Sequence, residues 1–517
     1  MAVAMVTTAV RQTPTIDEPV YVGTAAEYLH ERRVVHNPEH PPLGKLVIGV
    51  GVALADPRVD ASFDGDQGRL GRHLLYESGN DPWRLMLFAR LPVIALTLAF
   101  GLVVFAFARE LAGAAGGLAA LGLYAFSPDL VAHGSLATLD VPAAGFVLTS
   151  VWLLWRARHR PRLYVPLAGA ALGAALATKM SMLAAIPVLM ALAGLSVWCA
   201  RAPTASRRRT LGRAAAGAGV LALVAVAVVW ASYLVVDPRL RWAPEQPVPA
   251  VQGLRGLVVD LLPFPEAYRD GMRVQFDFED YPWQGFLFGR LYTGSLWYYL
   301  PAALLVKTPL GMLALWAAGA VTLVTVRPLR PVAPYLLVPT AVLLGAAMLG
   351  SRDFGTRYAV FVPMFLAVAA GCVLVVRRRW VPAAVGALVL FVAVSSLRTY
   401  PYYLPYSNEA FGGPEKTHLR LHDSNVDWGQ DLGRLADRLR ERYRGERIWL
   451  VYKGSGVPSY YGIRAVDPRR TDDIGEVRGL LVVSDSAAAK ATGRLAALID
   501  SSRPIDGVGH SITIYRR

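Results

Sequence analysis

Two short stretches near the start of the chain bring reactive side chains together. Thr15 to Pro19 reads TIDEP and holds the adjacent carboxylates Asp17 and Glu18, while Asn37 to Leu46 reads NPEHPPLGKL and holds His40 and Lys45. Carboxylates and a histidine suit proton transfer to and from a hydroxyl. The plain alternative is a solvated acidic loop, followed by a short amphipathic helix opened by Pro41 and Pro42 from which Lys45 snorkels. Arg90 lies within the apolar run LFARLPVI. An unpaired charge there is costly and more often functional than not, so Arg90 is the leading ligand for an anionic group such as a phosphate. Lys179 and Arg357, each at the end of an apolar segment, are the next candidates, although both could simply snorkel. Asp140 opens a helix, where a carboxylate caps the N-terminus as readily as it reacts. His133 is a weaker supporting candidate. No spacing among these residues argues for a metal, and neither metal nor cofactor is expected.

The elements that position these groups follow from composition. The 517 residues are 54% hydrophobic and 18% charged, with a mean hydropathy of +0.38, a balance that implies apolar surface facing lipid. Apolar blocks of about 15 to 25 residues match helices that cross roughly 30 Å of hydrocarbon. Spans are predicted at Leu85 to Phe107, Ala112 to Phe126, Val141 to Trp155, Tyr164 to Ala177, Met180 to Cys199 and Ala214 to Val236. Four more are predicted at Leu296 to Val326, with a kink at Pro301 or Pro309, and at Tyr335 to Leu349, Tyr358 to Val376 and Val381 to Leu397.

The net charge of +15 is not a nucleic-acid signal, because the arginines cluster between apolar blocks. Alternate short loops hold Arg156, Arg158, Arg160 and Arg162, then Arg201, Arg207, Arg208, Arg209 and Arg213, then Arg327 and Arg330, then Arg377, Arg378 and Arg379. Such loops stay on the cytoplasmic side. Residues 11–84, the loop 237–295 and everything after Leu397 are therefore expected outside the cytoplasm. The apolar stretch Met1 to Val10 is too short to span, so a first helix looks truncated. Cys199 and Cys372 lie inside predicted spans and imply no disulfide framework.

The expected architecture is an all-α polytopic membrane domain over 1–397, with about ten to eleven transmembrane helices, followed by a small extracytoplasmic α/β domain over 398–517. In that second domain Asp431 to Tyr443 has helical spacing. Ile448 to Tyr452, Leu480 to Ser484 and Ser511 to Tyr515 read as strands. The aromatic-rich loop 237–295, with Trp242, Phe264, Tyr268, Tyr281 and Trp283, suits a lid over an acceptor groove or an interfacial belt.

The acidic pair followed by His40-Pro41-Pro42-Leu43-Gly44-Lys45 resembles the first extracytoplasmic loop of the protein O-mannosyltransferases, glycosyltransferase family 39, of the membrane-embedded GT-C fold. SPDLVAHGSLATLD (127–140), ATKMS (177–181), WYYLPAALLVKTP (297–309), GTRYAVFVP (355–363) and DSNVDWGQD (423–431) extend the resemblance over nearly the whole chain. It implies an inverting transferase that takes a sugar from a polyprenyl-phosphate carrier, with mannose the leading sugar and a protein Ser/Thr hydroxyl the leading acceptor. A lipid or cell-envelope glycan is the alternative acceptor. Asp17 becomes the base, Glu18 orients the acceptor or supports the loop, and His40 becomes a site member, while Arg90, Lys45, Lys179 and Arg357 stand as the candidate ligands of the donor phosphate. The departing phosphate needs charge stabilisation more than a proton. The implied setting is a bacterial plasma membrane, with the site on the extracytoplasmic side and no nucleic-acid partner. The rival from another class is a lipid or solute transporter, which would place polar groups at mid-membrane and show repeated broken helices.

The charge asymmetry predicts that labels directed at Arg207 to Arg209 and at the domain over 398–517 react from opposite faces of sealed vesicles. Protection of both from outside reagents would overturn this topology.

Overall fold

The computed structural model describes residues 1–200, 206–244, 246–471 and 473–517. Arg201, one of the loop arginines, lies outside the described residues. The chain is an integral multi-pass membrane protein of mostly helical build with a small C-terminal sheet. Among the described residues, five helices are long and apolar enough to cross a membrane, or six if one bent pair is a single span.

The predicted spans all map onto helix, with two differences of connection. Leu85 to Phe107 and Ala112 to Phe126 join without a loop in Pro82–Ala125, 44 residues long, whose direction breaks at Gly113. That glycine has φ 73° and ψ −174°, a conformation that side chains disfavour. Leu296 to Val326, expected as one kinked span, is instead two helices, Tyr299–Lys307 and Leu310–Thr325, meeting at 119°. Pro309 cannot donate to the preceding turn and forces Thr308 into extended backbone (φ −97°, ψ 131°). Other spans are short, such as Pro161–Leu176 at 16 residues and Phe361–Gly371 at 11. The helix Asp140–Ala157 runs through the middle, with Val141, Val147, Leu148, Val151 and Leu154 all fully buried.

The segment ahead of the first long span is ordered into helices Ala2–Arg11, Glu18–His30, Pro42–Ala55 and Gln67–Tyr76. Glu18–His30 passes Gln67–Tyr76 so closely that a Cβ on Gly71 would lie 2.0 Å from the Pro19 carbonyl oxygen. This contact sits two residues from Asp17 and holds that end of the helix. The stretch 237–295 forms Gly253–Leu261, Glu266–Asp280 and an antiparallel hairpin of β1 (Gln284–Leu287) and β2 (Arg290–Thr293).

Beyond residue 398 a five-stranded mixed sheet comprises β3 (Ile448–Val451), β4 (Ala465–Val466), β5 (Leu480–Ser484), β6 (Arg503–Val508) and β7 (Ile512–Arg516). Their order is β4-β3-β5-β7-β6. β3 pairs in parallel with both β4 and β5, and β7 runs antiparallel to β5 and β6. Both faces of β5 are covered. Leu480 and Val482 pack with Leu435 and Leu439 of helix Leu432–Arg442, while Leu481 and Val483 pack with Leu495 and Leu498 of helix Gly493–Asp500. The unanticipated strands β4 and β6 are edges, where exposed residues blur the apolar alternation that marks a strand.

Candidate active site

Asp17 and Glu18 are neighbours in sequence and part company in space. Glu18 is fully buried and accepts from Arg90 twice, Nε to Oε1 and Nη2 to Oε2, each at 2.7 Å. The Thr15 backbone N–H donates to it at 2.9 Å and that of Ala137 at 2.8 Å. Burial favours the neutral acid, but Arg90 and these donors overcome it and hold the Glu18 carboxyl below its ordinary range. Arg90 directs its remaining N–H groups at the carbonyls of Ala9 (2.7 Å), Gln12 (2.8 Å) and Thr13 (3.2 Å). A guanidinium has five N–H donors. All five are engaged within the protein, so Arg90, the leading phosphate ligand on sequence grounds, has no donor free for a phosphate here. The reason is that a buried arginine can be partnered by carbonyls of a neighbouring loop, which hydropathy does not register.

Lys45 is likewise occupied. Its ammonium is buried, donates to the Asn37 carbonyl at 2.8 Å and lies 5.1 Å from the centre of the Tyr28 ring. It fixes the turn that carries His40. His40 is half-buried, with its Nδ1 inaccessible and without a hydrogen-bond partner and its ring meeting Tyr21 edge-on at 5.5 Å. Burial, then the charges of Lys179, Lys45 and Arg352, hold its pKa well below the imidazole range, so it is neutral near pH 7.

Asp17 stands at the N-cap position of helix Glu18–His30 without a side-chain capping bond and keeps 27% of its side chain exposed, against 10% for its partner Arg357, whose Nη1 lies 2.6 Å from Asp17 Oδ2. Arg357 belongs to the turn Thr356–Ala359 and is stacked over the Trp428 ring at 4.4 Å. Asp140, at the start of its helix, is paired with Lys179, and Lys179 stands 5.2 Å from the centre of the Tyr358 ring. Arg357 is within electrostatic reach of Asp17, Asp140 and Asp423, and His40 of Lys179 and Asp140. Asp17, Asp140, His40, Lys179 and Arg357 therefore form one cluster. Glu18, Arg90 and Lys45 stand behind it as its frame. His133 is buried with both ring nitrogens unpartnered and lies edge-on to Trp428 at 6.1 Å, on the inner side of the cluster.

The C-terminal chain closes this arrangement. Ile16 donates its backbone N–H to Trp428 O at 2.9 Å, Thr13 to Gln430 O at 3.0 Å, and Ser455 Oγ donates to Ile16 O at 2.7 Å. Asn425 Oδ1 accepts from the Thr356 backbone N–H at 3.0 Å. Gly355 is pressed so close to Ser424 that a Cβ would meet its Oγ at 2.2 Å. Asp423, paired with Lys453, was visible only within the resemblance at DSNVDWGQD. No sequence signal marked Lys453.

Residues 1–237 match the family model of dolichyl-phosphate-mannose-protein mannosyltransferases. The structure is similar to the crystal structure of ArnT from Cupriavidus metallidurans bound to undecaprenyl phosphate, at 14% identity and a TM-score of 0.52, covering 99% of this chain and 96% of that one. It is also similar to the apo state of that protein, at 14% identity and a TM-score of 0.49, with 99% and 95% covered. A third similarity, to the S. cerevisiae protein O-mannosyltransferase Pmt1-Pmt2 complex bound to the sugar donor, has 18% identity and a TM-score of 0.35, covering 46% of this chain and 32% of that one. No curated protein sequence matches the chain. The family match carries the activity, that of a membrane glycosyltransferase dependent on a polyprenyl-phosphate sugar, and the solved structures carry the fold.

The Glu18–Arg90 geometry predicts a stability phenotype. Glu18→Gln leaves a buried guanidinium without its counter-charge, at a cost on the order of 3–5 kcal/mol. A clearly lower apparent melting temperature in detergent is the expected result. An unchanged melting temperature with lost turnover would instead assign Glu18 to the chemistry.

Proposed function

We propose that this enzyme transfers mannose from its polyprenyl-phosphate carrier to a hydroxyl of an extracytoplasmic protein, with inversion, and that Asp17 is the base. The observation that carries the reading is the pair of Asp17 and Arg357: a partly exposed carboxylate at the mouth of the cluster, held by an arginine stacked on Trp428. Arg357 Nε has no hydrogen-bond partner, so its guanidinium has capacity for an incoming phosphate. In the reaction the acceptor oxygen bonds to C1 of the sugar as the C1–O–phosphate bond breaks. The hydroxyl proton passes to Asp17, and polyprenyl phosphate leaves with its charge met by Arg357 and Lys179.

Drawing Arg357 toward the phosphate loosens its hold on Asp17. Donor binding thereby frees the Asp17 carboxylate to meet the acceptor hydroxyl and take its proton. Neutral His40 can hydrogen-bond a sugar or acceptor hydroxyl without adding charge. The segment 237–295 supports its assignment as a lid by where it is anchored. Gln275 Nε2 donates to Glu39 O at 2.9 Å beside His40, and Arg352 Nη2 donates to Glu279 Oε1 at 2.9 Å just before the Arg357 turn. Mannose and a protein acceptor follow the description of the matched family. An outward-facing site follows the arginine distribution, and a bacterial plasma membrane follows the resemblance to bacterial members of the family.

The test is transfer by purified protein, with a panel of polyprenyl-phosphate sugars and with Ser/Thr peptides, lipids and envelope glycans as acceptors, the products identified by mass. Mannosylated peptide is expected, and product on a lipid or glycan alone would move the acceptor to that class. Asp17→Asn should bind donor as the parent does and transfer roughly 10²- to 10⁴-fold more slowly. Parent-like turnover by that variant would remove Asp17 from the role of base. Arg357→Lys, which keeps the charge and loses the fork, should raise the donor KM by about an order of magnitude. Unchanged KM would shift the phosphate site elsewhere in the cluster.

A further inference from the structure

Between the spanning helix Arg207–Val236 and the helix Glu266–Asp280 lies a short helix whose apolar side faces away from the protein. In Gly253–Leu261 (GLRGLVVDL), Leu254, Leu257, Val258 and Leu261 are 77%, 55%, 45% and 73% exposed. Their spacing of i, i+3, i+4 and i+7 makes one stripe along the helix. The opposite side is packed. Val259 is fully buried, and a Cβ on Gly256 would lie 2.3 Å from the Val251 carbonyl oxygen. Single exposed leucines are ordinary, whereas a continuous apolar stripe marks a surface that something covers.

The charged flanks set the rotation of this helix. Arg255 Nη1 donates to Asp280 Oδ1 at 2.8 Å, and Asp260 Oδ1 accepts from Arg273 Nη2 at 2.5 Å. Both charges are thus turned to Glu266–Asp280, and the stripe is left outward. Its depth is set by Trp230, whose Nε1 donates to the Pro263 carbonyl at 2.9 Å. Trp230 precedes Val236, the last residue of the spanning helix, by about 9 Å at 1.5 Å per residue. Beyond Trp230 the span keeps an exposed apolar side at Leu234 and Val235. The end of the short helix therefore hangs beside a lipid-facing turn of the span, at about the 5–10 Å to which interfacial helices bury their apolar face.

We propose that Gly253–Leu261 is an interfacial anchor, its stripe immersed in the leaflet on the side of the catalytic cluster. Its partner is the bilayer that already surrounds the span, because the stripe continues the span's lipid-facing surface at the same level. The anchor reaches the site through the helix to which it is paired. Glu266–Asp280 is tied to Glu39 by Gln275 and to Arg352 by Glu279, so the anchor sets the height of these groups above the layer that dissolves the prenyl chain of the donor. This last step rests on 237–295 being a lid over a polyprenyl-phosphate site. The immersion of the helix does not.

The first measurement uses full-length protein in phospholipid nanodiscs, with a nitroxide at Leu257→Cys and the exposed native Cys199 changed to serine. Collisions with oxygen, which concentrates in lipid, are compared with collisions with a water-soluble nickel chelate. High oxygen and low nickel accessibility is expected, at a depth of roughly 5–10 Å. High nickel accessibility would put the stripe in water and overturn the proposal. Low accessibility to both would seat it on protein, a second copy included, and overturn it equally. Neither reading needs turnover, so the anchor is judged apart from the assignment of donor and base.

The second measurement tests the link to the site with Leu257→Asp combined with Leu261→Asp. This variant should melt as the parent does, lose rate severalfold with a long-chain polyprenyl-phosphate mannose in nanodiscs, and keep its rate with a short-chain donor in detergent, where height above a bilayer has no meaning. Parent-like rates with both donors, or equal loss with both, would overturn the anchor's part in donor use. Absence of transfer by the parent from any donor would overturn the proposed reaction and leave the depth measurement to decide the anchor.

Discussion

The buried pair of Arg90 and Glu18 is the constraint on which the site depends. One guanidinium gathers the Glu18 carboxylate with the carbonyls of Ala9, Gln12 and Thr13, and the carboxylate in turn holds the amides of Thr15 and Ala137. Three parts of the chain that share no secondary structure are thereby tied at one point: the N-terminal helix, the start of Glu18–His30 and the turn ahead of Asp140. Isolated buried charges are prohibitively costly, and a fully satisfied pair specifies a single arrangement because any partial one is worse. Asp17 is adjacent to this knot and inherits its position.

That arrangement explains why the acidic pair divides its labour. A helix start turns successive side chains by about 100°, so two neighbouring carboxylates cannot face the same direction. Glu18 goes inward to Arg90 and Asp17 outward to Arg357. The outward member keeps the exposure and adjustable charge that chemistry needs, and the inward member holds the frame.

Much of this was legible in the residues themselves, and the gaps have physical causes. The apolar blocks marked the five or six helices, among the described residues, that are long and apolar enough to cross a membrane, because lipid enforces a length and composition that water does not. What periodicity missed was connection: Gly113 lets two blocks join without a loop, and Pro309 turns one block through a sharp bend. Asp17, Arg357, Asp140 and Lys179 were all singled out by type and place. Their pairing was not, because contacts such as Asp17 with Arg357 span 340 positions and leave no local trace. Arg90 drew attention as an intramembrane charge that had to have a purpose, and the structure gives it one through carbonyls that no motif announces. Lys453 lies in a stretch of ordinary soluble character, and only the docking of the C-terminal sheet reveals its neighbour.

The central claim is a division between cations that hold the fold and cations that meet the donor. It is tested most directly by a structure of the protein with a polyprenyl phosphate bound. The account predicts the phosphate within hydrogen-bonding distance of Arg357 and Lys179, the Asp17 carboxylate loosened from Arg357, and Arg90 still clasping Glu18. A phosphate seated on Arg90, with Glu18 displaced and Arg357 unmoved on Asp17, would contradict it.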